Sequence, residues 1–409
     1  MTVKVRTLAV LGLVATTLWV TGCGHFNCTR TFGNSTCANS TNTKQSGGGP
    51  GSSQTIFVYF LNDPDAQMTA DALDFNNSQT FAQVPNFVGP TLDTGQSVFA
   101  RDGGIVILNK KYLYVPYSDG KVFGFSIDPT TAVLTPISGT PIDISLPPNT
   151  VSPIAVDPLN NFIFVGDSAG IYVFSVNQSS GALTMVSGSP FAVTGLQPTS
   201  LTTDGLGKYL YVSDGVQISE FSYNSTSGAL TSLGSLASTM QMLVSEPTGK
   251  FIIGSTLQIG TGGGPIDNNV YAFSISSSAV PGSLTSVNAS GFPTSESAAW
   301  MAVTPNGKYL YTFNENDQNA NQPLFESIQG FSLAGLPSQL TPLAGSPFTV
   351  FDANFGRIDQ SGNYMIVNGQ ESTAPVAGTL AIQIQSDGSL TSGFPATGSA
   401  GLFGITDEP

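Results

Sequence analysis

A short aromatic run recurs along this chain and constrains its fold more than any other feature. It reads IFVYF at 56–60, YLYVPY at 112–117, FIFVGD at 162–167, YLYVSD at 209–214, FIIGST at 251–256, YLYTFN at 309–314 and YMIVNG at 364–369. Successive starts lie 42 to 58 residues apart. A period of this size marks a repeated supersecondary unit. Each run is apolar on both alternating faces, as expected of a strand buried on both sides.

A second motif also occurs seven times: SVFARDGG at 97–104, SPIAVDPL at 152–159, TSLTTDGL at 199–206, QMLVSEPT at 241–248, AWMAVTPN at 299–306, NFGRIDQS at 354–361 and GLFGITDE at 401–408. The first six precede an aromatic run. The seventh ends the chain with no run after it, and the first run has no motif before it. A closed ring whose first sheet borrows a strand from the far terminus produces this offset. A third element (KVFGFSID at 121–128, GIYVFSVN at 170–177 and their counterparts) leads through turns such as SGALT or DGSLT to a fourth strand. Such turns join antiparallel strands. The expected fold is therefore all-β: a seven-bladed β-propeller over 55–409, with four-stranded antiparallel blades and the C-terminal strand completing blade one.

The combined pattern, inner strand, GKYLYV, FS strand, SGALT turn and GSPF, resembles the lactonase-like propellers that include 6-phosphogluconolactonase. The resemblance runs from about residue 56 to the end. It implies the fold strongly and lactone hydrolysis only as an alternative function, because the matching residues are structural.

Composition supports the fold class and narrows the partners. The chain has 409 residues, 46 of them Gly, is only 9% charged, and carries a net charge of −14. So acidic a chain repels nucleic acid, and none is expected as a partner. A repeat architecture also lets a body of this length pack without one oversized core. A monomer is expected.

The N-terminus reads as an export signal over 1–22: Lys4 and Arg6 precede an apolar run from Leu8 to Val20, shorter than a membrane span. VTGC at 20–23 resembles the lipobox of bacterial lipoproteins. That resemblance implies a lipid on Cys23, attachment to a membrane, and a cell-envelope location; Gly24 in place of aspartate favours the outer membrane or periplasm. Residues 23–54, rich in Gly, Ser, Thr and Asn, read as a flexible tether. Cys28 and Cys37 lie in it and are able to pair in an oxidising compartment. The body beyond Ile56 contains no cysteine.

Candidate functional residues divide between the two ends of the ring. Asp102, Asp157, Asp204, Glu246 and Asp359 share one repeat position and read as turn acids bonding backbone N–H groups. Lys111, Lys208, Lys250 and Lys308 share the adjoining turn. The opposite end bears the connections between blades and the loops between second and third strands. Three of those loops, 255–268, 313–326 and 368–377, are long and fall in blades five to seven, which favours binding there. The blade connections contribute Asp93, Asp143, Glu296, Trp300, Asp352 and Asn354 as ligand-contacting candidates, for a protein or a carbohydrate. NENDQN at 314–319 has oxygen ligands but not the spacing of an EF-hand, so no metal is assigned. No cofactor motif is present.

A lactonase needs a base and oxyanion donors. The only histidine is His25, in the tether. Glu296, Arg101 and Arg357 remain the catalytic candidates. The two arginines occupy adjacent repeat positions and should point to opposite strand faces. A partner-binding envelope propeller is the preferred reading, and an exported lactone hydrolase is the alternative.

Overall fold

A computed structural model describes residues 28–31, 34–37, 55–62, 67–74, 80–92, 104–117, 120–144, 153–193, 195, 197–256, 267–315, 327–349, 355–370, 377–395 and 402–405. Two compact units emerge, 1–52 and 53–409. In the first, Cys28–Thr31 pairs antiparallel with Asn34–Cys37, and Cys28 stands opposite Cys37.

The second unit is a seven-bladed β-propeller. Seven antiparallel sheets follow one another along the chain, four with four strands and three with a short fifth strand. Each inner strand touches that of the next blade from blade one through to blade seven. Blade one is completed as the repeat offset predicts. Its inner strand is Leu402–Ile405, which pairs with Thr55–Asn62 through Val58↔Ile405 to Leu61↔Leu402. The remaining strands of that blade are Gln67–Asp74 and Thr80–Gln83.

The repeated YLY motif is explained by the seams between blades. Its second tyrosine donates a hydrogen bond to the next blade, at the turn between third and outer strands. Tyr59 reaches the Ala132 carbonyl, Tyr114 that of Gly181, Tyr211 that of Gly282 and Tyr311 that of Gly388, at 2.5–2.8 Å. All four rings are fully buried. Burial raises the pKa of each phenol above its ordinary value, so each remains a donor. The first aromatic of the motif packs on the same turn. A Cβ on Gly282 would lie 2.3 Å from the Tyr209 ring, at a φ of +92° that other residues rarely adopt. One aromatic pair thus selects the glycine of SGALT-type turns in the neighbouring blade. Where the second tyrosine is missing, apolar contact substitutes: Phe164 packs 5.1 Å from Tyr223.

The turn acids hold the opposite face. Asp157 accepts from the Phe162 amide at 2.7 Å, Asp204 from Tyr209 at 2.7 Å, Glu246 from Phe251 at 3.1 Å and Asp359 from Tyr364 at 2.7 Å. In blade six the Thr304 hydroxyl accepts from Tyr309 at 3.0 Å instead. These acids brace the turn between inner and second strands. Lys111, Lys208, Lys250 and Lys308 are exposed beside them. Asp102 lies outside the described residues.

Candidate functional site on the connection face

The face opposite those turns gathers polar side chains at the top of blades five and six. The second strand of blade six, Tyr309–Glu315, ends near Asn314, which pairs with Ser327 at the start of the third strand. Asn314 is fully buried, and its Nδ2 donates to the Ser327 hydroxyl at 3.1 Å. Ser327 in turn donates to Glu296 Oε2 at 3.0 Å. Glu296 lies in the connection entering blade six and is half-buried. Burial raises its pKa above the ordinary carboxylate value, and the Ser327 hydrogen bond opposes that rise.

The same connection is tied down on either side. Gln329 Oε1 accepts from both the Ser295 amide, at 2.7 Å, and the Ser295 hydroxyl, at 3.2 Å. Thr294 donates its hydroxyl to the Glu296 carbonyl at 2.6 Å and its amide to the Asn268 carbonyl of blade five at 2.8 Å. Next to Asn268, Asp267 accepts from Tyr271 at 2.9 Å, Asn269 at 2.7 Å and Thr256 at 3.2 Å. The Tyr271 phenol is pushed up to about 12 by burial and by its bond to Asp267. Asp267 and Thr256 thereby clasp the two ends of blade five's long loop.

Trp300 and Arg357 sit deeper, on the inner strands of blades six and seven. Trp300 is 8% exposed; its indole N–H donates to the Gly356 carbonyl at 2.8 Å, and its ring lies 4.3 Å from that of Phe355. The ring therefore joins two blades, which is the packing role open to it, and its N–H is already engaged. Gly356 also makes room for the Phe313 ring of blade six, since a Cβ there would lie 2.2 Å from it. Arg357 rests over the Phe355 ring at 5.5 Å and donates to the Ile105 carbonyl at 2.9 Å. Ile105 leads into blade two, so this contact passes across blade one at the point of ring closure.

Of the other sequence candidates, Asp143 is exposed and stands opposite Lys121 at the edge of blade two. Asp93, Arg101, Asp352, Asn354 and Cys23 lie outside the described residues, as do 257–266, 316–326 and 371–376. The structure brings Glu296 together with Ser327 and, through it, Asn314, while the adjacent Ser295 bonds Gln329. Gln329 has a partial signal: its repeat position holds Phe123, Tyr172, Tyr271 and Leu380 in four other blades, against the smaller polar Thr69 and Ser219 in the remaining two. Among the described residues no group of three or more His, Cys, Asp or Glu could hold a metal ion. No described helix is long and apolar enough to cross a membrane.

The fold and this face define the class as a seven-bladed β-propeller with a polar, carboxylate-bearing connection face. No protein-family model matches the chain, and no curated protein matches it. Solved structures do. A candidate 6-phosphogluconolactonase from Bacteroides uniformis is 17% identical with a TM-score of 0.56, covering 83% of this chain and 94% of its own. The periplasmic gluconolactonase of Pseudomonas aeruginosa is 14% identical with a TM-score of 0.59, covering 87% and 100%. A Lactobacillus plantarum protein is 14% identical with a TM-score of 0.59, covering 83% and 95%. At such identities the likeness establishes the seven-bladed propeller fold alone, and function rests on the site.

Proposed function

We propose that this protein is an envelope propeller, anchored by a lipid on Cys23, that binds a ligand on its connection face over blades five and six. The carrying observation is Glu296. It is a half-buried carboxylate, held by Ser327 and Asn314 on a connection that is itself fastened to blade five. A rigid scaffold presenting an incompletely solvated polar group is the usual form of a recognition site. Lys250 and Lys308, of the same blades, lie in turns at the other end.

Lactone hydrolysis is the second reading. It is favoured by the lactonase-type structural neighbours and by the raised pKa of Glu296, which suits a general base. Against it, the Arg357 guanidinium, on the inner strand of blade seven, already serves the Ile105 carbonyl, and the lysines of blades five and six lie at the other end.

Calorimetric titration of the full mature chain with a panel of neutral sugars, sugar phosphates and short peptides tests the binding reading. Wild type should bind at least one, and Glu296→Gln should weaken that binding tenfold or more. Identical titrations for the two proteins across the panel would refute it. Mass spectrometry of the mature N-terminus tests the anchor: a diacylglyceryl group on Cys23 is expected, and an unmodified cysteine would exclude it.

A further inference from the structure

We infer that the site reads an uncharged hydroxyl group, held between the carboxylate of Glu296 and the side-chain amide of Gln329, and so selects neutral polyhydroxylated ligands over anionic ones. This rests on the binding reading above and names its ligand class.

Hydrogen-bond polarity distinguishes the two side chains. Ser327 has a single hydroxyl proton, and it donates that proton to Glu296 Oε2. Ser327 can then only accept from Asn314, which fixes the amide of Asn314 with its nitrogen towards the serine. Glu296 is thus held as an acceptor, with Oε1 left for a donor outside the chain Asn314–Ser327–Glu296. Gln329 is fixed the opposite way. Its Oε1 accepts twice from Ser295, so its Nε2 hydrogens are what it can offer.

Position brings the two together. Ser327 and Gln329 are two residues apart on one strand and share a face. Their partners Glu296 and Ser295 are adjacent in the connection. An acceptor and a donor side by side match a hydroxyl, which donates to one and accepts from the other. A phosphate or carboxylate oxygen accepts only; it would gain Gln329 and face the Glu296 carboxylate, a like-charge contact. Asp267, reached through Asn268 and Thr294, adds a second negative charge close by. A site built to hydrogen-bond a hydroxyl strongly rejects ligands that lack it, because its own polar groups are then stranded.

Gln329→Glu is the decisive variant. It keeps the oxygen that accepts from Ser295 and replaces only the donor amide, so the blade should remain folded. The full mature chain is titrated with glucose, N-acetylglucosamine, cellobiose, glucose 6-phosphate and gluconate. Wild type should bind a neutral sugar at least tenfold more tightly than its phosphorylated or carboxylated counterpart. Both Gln329→Glu and Glu296→Gln should reduce that binding tenfold or more, with melting temperatures close to wild type. Preference for the anionic sugars, or binding of the neutral sugar unchanged in Gln329→Glu, would overturn the inference. So would the absence of any sugar binding. A non-sugar ligand lost in Glu296→Gln but kept in Gln329→Glu would overturn this inference alone. Ligands indifferent to both substitutions would overturn the binding reading as well.

Discussion

Glu220 is a residue whose environment works against its charge. Its position in the third strand of blade four is taken by Ala70, Gly124, Val173, Ala272, Gly330 and Ala381 in the other blades. The side chain is 4% exposed and accepts from the Leu284 amide of blade five at 2.9 Å. Burial raises its pKa above the ordinary glutamate value, and the Leu284 bond only partly offsets this. Folding therefore favours the protonated acid. Its contribution to stability is complete below the unfolded pKa of about 4.3 and is lost as pH rises through the raised folded value. Glu220→Gln keeps an acceptor for Leu284 and removes the titration. Its melting temperature relative to wild type should rise between about pH 4 and pH 7. A difference that stays constant with pH would show that Glu220 is not buried in its charged form.

At the scale of the element, the seam between blades is the unit that recurs. One aromatic run supplies a ring to pack on the next blade's turn and a phenol to cap that turn's carbonyl. The two contributions are separable in blade four. Tyr211→Phe strands the Gly282 carbonyl and should cost about 1–2 kcal/mol in denaturant unfolding. Gly282→Ala should cost more, about 2 kcal/mol or above, since it strains a positive φ and drives a methyl into Tyr209. Equal costs would argue that the turn relaxes freely. These elements were legible in the sequence because their residues are selected by contacts that recur from blade to blade, the tyrosine bond itself in four of the seven. Gln67–Asp74, the third strand of blade one, was not legible: it lacks the aromatic–Ser pair and carries a buried Asp71 instead. The site was half legible for a related reason. Glu296 stands out as an acid in a connection. Asn314, Ser327 and Gln329 become a site only through strand register, which places residues from three segments side by side.

For the whole molecule, closure and function are distinct claims. The ring closes through Leu402–Ile405 against Thr55–Asn62, and Arg357 spans the same junction to Ile105. Removing residues 400–409 takes the inner strand from blade one and exposes the edge of Thr55–Asn62. Cooperative unfolding should then begin at a distinctly lower temperature; an unchanged transition would contradict closure by this strand. Closure is legible in the residues themselves, because the seven inner-strand motifs and the seven second-strand motifs are out of phase by one. Function carries no such count, because a propeller fold hosts a site without specifying it.

The binding account is tested most directly by the reaction it excludes. Hydrolysis of 6-phosphogluconolactone and of gluconolactone is followed with wild type, Glu296→Gln and Arg357→Ala against the spontaneous rate. The account predicts that all three leave the spontaneous rate of the phosphorylated lactone essentially unchanged. Efficient wild-type turnover that either substitution abolishes would contradict it and make the connection face an active site.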